Sequence, residues 1–186
     1  MSVVTFTAIT LGAIQREYEL DEMLRILERD EISAVVEIGV HTGGTLWAWG
    51  QCARPDAVLI GIDIYLGNVN PAASGDARVR LIKGDSRAES TITQVERELG
   101  GRPVDLLFID GDHTYETVKT EFEMYSPLVR SGGVIAFHDI LIPEIARYWD
   151  EISHGDLRSD ELVGTDMSKC GGLGGIGVLF QLKETS

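Results

Sequence analysis

Much of what would place a chain outside a cell or in a membrane is missing from this one. Of its 186 residues only two are cysteine, Cys52 and Cys170. They are far apart and in no CxxC spacing, so no disulfide framework is expected. No apolar run approaches the roughly 20 residues that a membrane-spanning helix needs. The opening MSVVTFTAITLGA lacks a basic leader and passes at once into the charged QREYELDE, so it is not read as a signal peptide. Basic residues are scarce and unclustered: sixteen Lys and Arg face thirty Asp and Glu, a formal net charge of -14. Such a surface repels phosphate backbones and anionic membranes. These absences predict a soluble cytoplasmic protein with no nucleic-acid or membrane partner, and they leave a homo-oligomer open.

What is present fits a globular core. Hydrophobic residues make up 44% and charged residues 25%, and neither a repeat nor a linker interrupts the chain. The expectation is one domain over 1–186, with a cap segment and helix at 1–30 and a core at 31–183. Apolar spacing predicts a helix over Ile14 to Asp30. Strands are predicted at Ala34–Ile38, Val58–Ile62, Val79–Ile82, Val104–Ile109 and Val134–Phe137. Helices are predicted from Leu46 to about Cys52, at Ala88–Leu99 stopped by Gly100-Gly101, at Thr114–Val129, and at Ile142–Ile152 opened by Pro143. Gly67–Asp76 reads as a loop at the ligand edge, and residues 1–13 carry no readable pattern. A final strand at Ile176–Leu182, after the glycine-rich Gly171–Gly175, pairs with one near Glu161–Thr165. The fold class is α/β: a Rossmann-like, doubly wound, mostly parallel seven-stranded sheet with a C-terminal antiparallel β-hairpin and helices on both faces.

The richest stretch is VDLLFIDGDHTYETVKTEFEMYSPLVRSGGVIAFHDI, Val104 to Ile140. Its two apolar strands do not alternate, which suits parallel strands covered on both faces, and the helix between them brings their carboxyl ends to one edge. Asp110, Asp112, His113, His138 and Asp139 should therefore meet. At the same edge VVEIGVHTGGT gives a strand, a glycine turn and a helix, and Asp63 follows Gly43 by twenty positions. At that distance an acid meets ribose hydroxyls in nucleotide-binding folds. His41 occupies the position where a dinucleotide fingerprint has its middle glycine. Glu37, Asp63, Asp85, Asp110, Asp112 and Asp139 together are hostile to a pyrophosphate and welcome a cationic nucleoside, such as S-adenosylmethionine.

VVEIGVHTGGT, IGIDI, IKGDS and the Val104–Ile140 block resemble, in order and spacing, the successive motifs of class I S-adenosylmethionine (SAM)-dependent methyltransferases. The last block most resembles the branch of cephalosporin hydroxylase-type proteins and metal-dependent sugar and catechol O-methyltransferases. The resemblance covers about residues 30 to 182. It implies that Glu37, Gly39 and Gly43 carry the methionine part of the cofactor, that Asp63 binds both ribose hydroxyls, and that Asp85 and Ser86 lie beside adenine. It implies a cofactor-side role and a metal-ligand role for Asp110, with His138 and Asp139 where such enzymes have two further oxygen ligands. An imidazole in place of one carboxylate puts magnesium in doubt and admits manganese, iron or zinc.

The resulting expectation is divalent-metal-assisted O-methylation of a small hydroxylated molecule, with S-adenosylhomocysteine (SAH) as product. Asp110, Asp139 and His138 would hold the metal, and His113 would remove the acceptor proton. Plainer readings stand beside these. Asp110 and Asp112 also suit the amino end of a helix, and His138 also suits a hydrogen bond to a neighbouring strand. His41 reads as a turn residue or pocket wall, and only one of Trp47 and Trp49 can face the core. A dinucleotide-dependent oxidoreductase, a metal-dependent hydrolase and a non-catalytic SAM-binding protein are the competing functions.

Overall fold

The computed structural model describes residues 1–28, 31–155, 157–164 and 174–181. In it the apolar runs form one sheet of β1 (Ile32–Ile38), β2 (Ala53–Asp63), β3 (Val79–Lys83), β4 (Val104–Ile109), β5 (Val129–His138), β6 (Arg158–Leu162) and β7 (Ile176–Phe180). Their order is β3-β2-β1-β4-β5-β7-β6, parallel through β5, with β7 antiparallel to both β5 and β6. This is the expected doubly wound sheet closed by a hairpin. Between the strands run α1 (Val3–Thr10), α2 (Glu17–Leu27), α3 (Gly44–Cys52), α4 (Pro71–Ser74), α5 (Glu89–Leu99), α6 (Tyr115–Tyr125) and α7 (Pro143–Ser153). One core layer lies under α1, α2 and α3 and the other under α5, α6 and α7. β4 is buried at every position, and β1 at all but one, which is why neither alternates.

Several boundaries differ from the sequence reading. β2 and β5 begin earlier than their apolar runs, because pairing is made again beyond the polar residues, at Ile32 with Ala53 and at Val104 with Val129. The helix after Thr114 ends at Tyr125 and tightens into a 3₁₀ turn at Ser126–Leu128, where Pro127 has no amide hydrogen to continue it. The stretch read as a loop holds the one-turn α4, capped by the Asn70 side chain on Ala72 N at 2.9 Å. α1 was not expected; Ser2 caps it through Thr5 N at 3.0 Å. Asp30, Thr165, Cys170, Gly171 and Leu182, at or near which other expectations ended, lie outside the described residues. Of Trp47 and Trp49, it is Trp49 that is fully buried in the core. Among the described residues no helix is long and apolar enough to cross a membrane.

Asp105, the one acid in the β4 run, is explained by a register shift where β1 meets β2 and another where β4 meets β5. Its carboxylate accepts from Ser33 N at 2.6 Å and Ala34 N at 2.9 Å and pairs with the Arg130 guanidinium. At the other end of the sheet the chain leaves β1 toward β2 and later returns to β4 on β1's opposite side. The carboxyl ends of the two strands part there, and a crevice opens. Gly39 makes the parting tight: with φ +88°, any Cβ would lie 1.9 Å from the Asp110 carbonyl oxygen, so only glycine fits.

Candidate active site

The crevice holds a cavity of 670 Å³, walled by the ends of β1 to β5 and by Gly12, Ala13, Ile14 and Gln15 from the segment joining α1 to α2. Of the residues singled out in the sequence, Gly39, Asp63, Asp85, Ser86, Asp110, His113, His138 and Asp139 line it, as do His41 and Asp112. Glu37 and Gly43 do not. Glu37 is fully buried on β1, where Thr45 Oγ1 donates to Oε1 at 2.7 Å. Burial pushes its carboxyl up to about 8. Gly43 turns its vacant side toward Ala73 rather than the cavity.

On the β1–β3 side, Asp63 ties the two turns together. Its Oδ2 accepts Val40 N and His41 N, both at 2.9 Å, and its Oδ1 accepts Tyr65 N at 2.9 Å. His41 holds a left-handed φ of +48°, so it is the turn residue that was expected, and it also forms part of the wall. Asp85 is bound to the guanidinium of Arg87 at 2.9 Å, which holds its carboxyl below the usual range. Ser86 is nearly buried and donates to Glu121 Oε1 at 2.5 Å, while its carbonyl accepts the Tyr125 hydroxyl at 2.7 Å.

On the β4–β5 side the acids and imidazoles converge. Asp110 Oδ1 lies 3.0 Å from His138 Nδ1, and Oδ2 accepts Gln15 Nε2 at 2.5 Å. Burial works to raise the Asp110 carboxyl, but the imidazoles of His138 and His113 outweigh it and hold it below the usual range. His138 is 6% exposed and faces Glu19 Oε2 at 3.6 Å and Asp139 Oδ2 at 3.5 Å. Burial opposes its charge, yet Asp110, Glu19 and Asp139 push it up to about 10. His113 is half-exposed to the cavity, 3.3 Å from Asp139 Oδ2 and 4.0 Å from Asp110 Oδ1. The Asp110 carboxylate, helped by Asp139, raises it above the ordinary imidazole value. Asp139 sits at a left-handed φ of +58° and accepts Gly174 N at 2.5 Å, a costly conformation that holds its carboxylate toward the cavity. Asp112 accepts hydroxyls of Thr114 and Thr117, and the cap of α6 falls to Thr114.

Beside the set named from sequence, Asp110, His138 and Asp139, the structure offers another that could hold a metal ion and shares both acids. Asp110, His113 and Asp139 offer ligand atoms within 4.8 Å of one another. His138 sits buried between the two acids Asp110, at 3.0 Å, and Glu19, at 3.6 Å. Two residues that the sequence reading missed complete the site, Gln15 and Glu19. Glu19 reaches back to Arg16 N at 2.9 Å, the capping-box habit of a third helical residue, and that habit was its one local signal. Four cavity-lining side chains keep a buried polar atom without a hydrogen-bond partner: Gln15 Oε1, Thr42 Oγ1, Glu121 Oε2 and His138 Nε2.

Comparison with known proteins gives this geometry a context. Residues 36–140 match a family model described as a methyltransferase domain. Mycinamicin VI 2''-O-methyltransferase of Micromonospora griseorubida is 29% identical over 146 residues, which cover 75% of this chain and 34% of that protein. The O-methyltransferase TomG of Streptomyces achromogenes, solved with SAM, superposes with a TM-score of 0.73 at 16% identity over 98% of this chain and 91% of that one. The MycE methyltransferase of the mycinamycin biosynthetic pathway, solved with Mg, SAH and mycinamycin VI, gives 0.66 at 17% identity, over the whole of this chain and 56% of that one. The two solved structures are likenesses of fold. The chain spans 15% and 57% of the length of two other curated relatives.

Proposed function

The chain belongs to the methyltransferase-domain family, and from that premise we propose that it transfers a methyl group from SAM to a hydroxyl of a small organic acceptor. The observation that carries the reading is that Asp63 and Asp110 open onto one cavity whose described lining is anionic. The one guanidinium among the described lining residues, Arg87, is engaged by Asp85. A sulfonium nucleoside without phosphate suits such walls better than a pyrophosphate does, and the side chain of His41 stands where a dinucleotide site would need a glycine. The residues fit the ligand. A carboxylate accepts up to about four hydrogen bonds, and Asp63 has three in use, so it retains capacity for a ribose hydroxyl.

SAM supplies a methyl group already activated on sulfur; the protein's part is to place the acceptor in line and to take its proton. His113 is the cavity-facing imidazole for that task, with Asp139 and Asp110 orienting it and raising its basicity. Asp110, Asp139 and His113 would also suit a divalent ion, as two oxygens and one nitrogen close together. Such an ion would supply Lewis-acid polarisation of the acceptor oxygen. A ligand role and a base role for His113 exclude each other, and turnover with and without a chelator separates them. The acceptor is proposed as a sugar, catechol-like or natural-product hydroxyl rather than nucleic acid, given the charge of -14. A cytoplasmic setting, and one domain in which residues 1–30 cap the core, complete the proposal.

Calorimetry with SAM, SAH and NAD tests it: SAM and SAH bind and NAD does not. Binding of NAD alone would overturn it. His113→Ala is expected to lower turnover on a hydroxylated acceptor by about 10²–10⁴-fold while leaving the SAH dissociation constant unchanged.

A further inference from the structure

We propose that Glu121 reads the nucleobase of the bound nucleoside, its Oε2 accepting the exocyclic amine of a 6-aminopurine. The inference rests on the methyltransferase reading and goes beyond it by assigning base selection to a helix that the sequence analysis gave no role in ligand binding.

The argument follows the wall of the cavity outward from Asp63. β3 pairs with β2 so that Lys83 lies opposite Asp63, and Gly84 N donates to the Asp63 carbonyl at 3.0 Å. The turn after β3 is thus the next surface beyond the ribose site, where a base one glycosidic bond from the ribose comes to rest. That turn is clamped to α6 by Ser86 on Glu121 Oε1 at 2.5 Å and by Tyr125 on the Ser86 carbonyl at 2.7 Å. Glu121 lines the cavity although it is only 1% exposed. Its Oε1 is satisfied by Ser86; Oε2 is buried with no partner.

A clamp would need one oxygen. The second is a hydrogen-bonding atom already stripped of water, a cost that a ligand donor would relieve. Gly111 lies directly beside this carboxylate: a Cβ there would stand 3.3 Å from Oε1 and 3.8 Å from Oε2. Burial, helped by Asp112 and Asp85 and opposed by Ser86 and Arg87, pushes the carboxyl up to about 7. The ionised form is therefore within reach once an N–H donor arrives. Adenine presents that donor at its 6-amino group. Hypoxanthine presents a carbonyl oxygen there, which would face Oε2 acceptor to acceptor.

The test is calorimetry on the full chain with SAH and with S-inosylhomocysteine, which carries hypoxanthine in place of adenine. The wild type should bind SAH about tenfold or more tightly than the inosyl analogue, because a site built around a hydrogen bond rejects a ligand that leaves its group unpaired. Glu121→Gln, which puts a carboxamide donor in the place of Oε2, should erase or invert the ratio, and Glu121→Leu should erase it. Equal wild-type affinities for the two ligands, or an unchanged ratio in Glu121→Gln, would overturn the assignment. Should neither variant fold by circular dichroism, the N6,N6-dimethyl analogue of SAH decides on the wild type alone: binding as tight as SAH overturns the proposal, and weaker binding supports it. A wild type that binds neither SAM nor SAH would instead remove the methyltransferase reading, so the two failures are distinguishable.

Discussion

Two acids bracket β4 and are held in opposite ways. Asp105, at the start of the strand, accepts backbone amides of Ser33 and Ala34 and the guanidinium of Arg130. Asp110, just past its end, accepts side chains: an amide nitrogen of Gln15 and the imidazole of His138. For both, burial alone would raise the carboxyl, and the partners more than reverse it. The difference lies in what the partners can do. Backbone donors in a sheet are fixed, so Asp105 is part of the frame. Imidazoles and carboxamides can turn, titrate or yield to a ligand, so Asp110 is held ready and can exchange what holds it.

The largest effect should come from the exchangeable acid. Asp110→Asn is expected to reduce turnover by about 10²–10⁴-fold, well beyond any loss of stability read by urea unfolding. Asp105→Asn should do the reverse and leave the SAH dissociation constant alone. If both variants lost activity in proportion to stability, the contrast would collapse. Next is Glu19→Ala, which takes one of three acids from His138 and removes the acceptor of Gly175 N at 2.7 Å. The orphaned amide and the lost carboxylate should cost about 1–3 kcal/mol, and a loss under about 1 kcal/mol would show that Glu19 does not hold this end of the site. Asp105→Asn itself should cost about 1–3 kcal/mol, the range for orphaned buried donors, because Arg130 is 28% exposed and can turn to water.

The same contrast separates what was legible from what was not. The strands, Asp63 and the gathering of Asp110, His113, His138 and Asp139 could all be read, because each follows from a period or spacing within one or two neighbouring elements. The partners of Asp110 could not. Gln15 lies 95 residues away and Glu19 lies in a helix legible only as a cap. α1, with its buried Thr5 and Ala8, is apolar on most sides and shows no helical stripe. What fixes the N-terminal segment is a packing fact: Gly44 has no side chain, and a Cβ there would lie 2.5 Å from Ala13 N and 2.6 Å from the Ala8 carbonyl. In the sequence Gly44 is one more glycine of a ligand turn. Only in three dimensions does it admit the segment that brings Gln15 to the site. The approach of Glu19 to His138 from the other side was hidden for the same reason.

Glu37 offers the finest test of frame against site, because the resemblance put it with the cofactor and the structure puts it behind the cavity wall. Its carboxyl keeps its proton up to about 8 in the folded chain, against an ordinary value of 4.5. Between those values the folded state binds more protons than the unfolded one, so this group makes stability fall as pH rises through that window. Glu37→Gln has no proton to lose and keeps an oxygen for Thr45, so its melting temperature should fall less steeply with pH than the parent's, with SAH affinity little changed. A cofactor contact at Glu37 would show the opposite pattern, with parallel stability slopes and a large loss of SAH binding. That outcome would move Glu37 from the frame to the site and return Asp110's side of the comparison to the sequence reading.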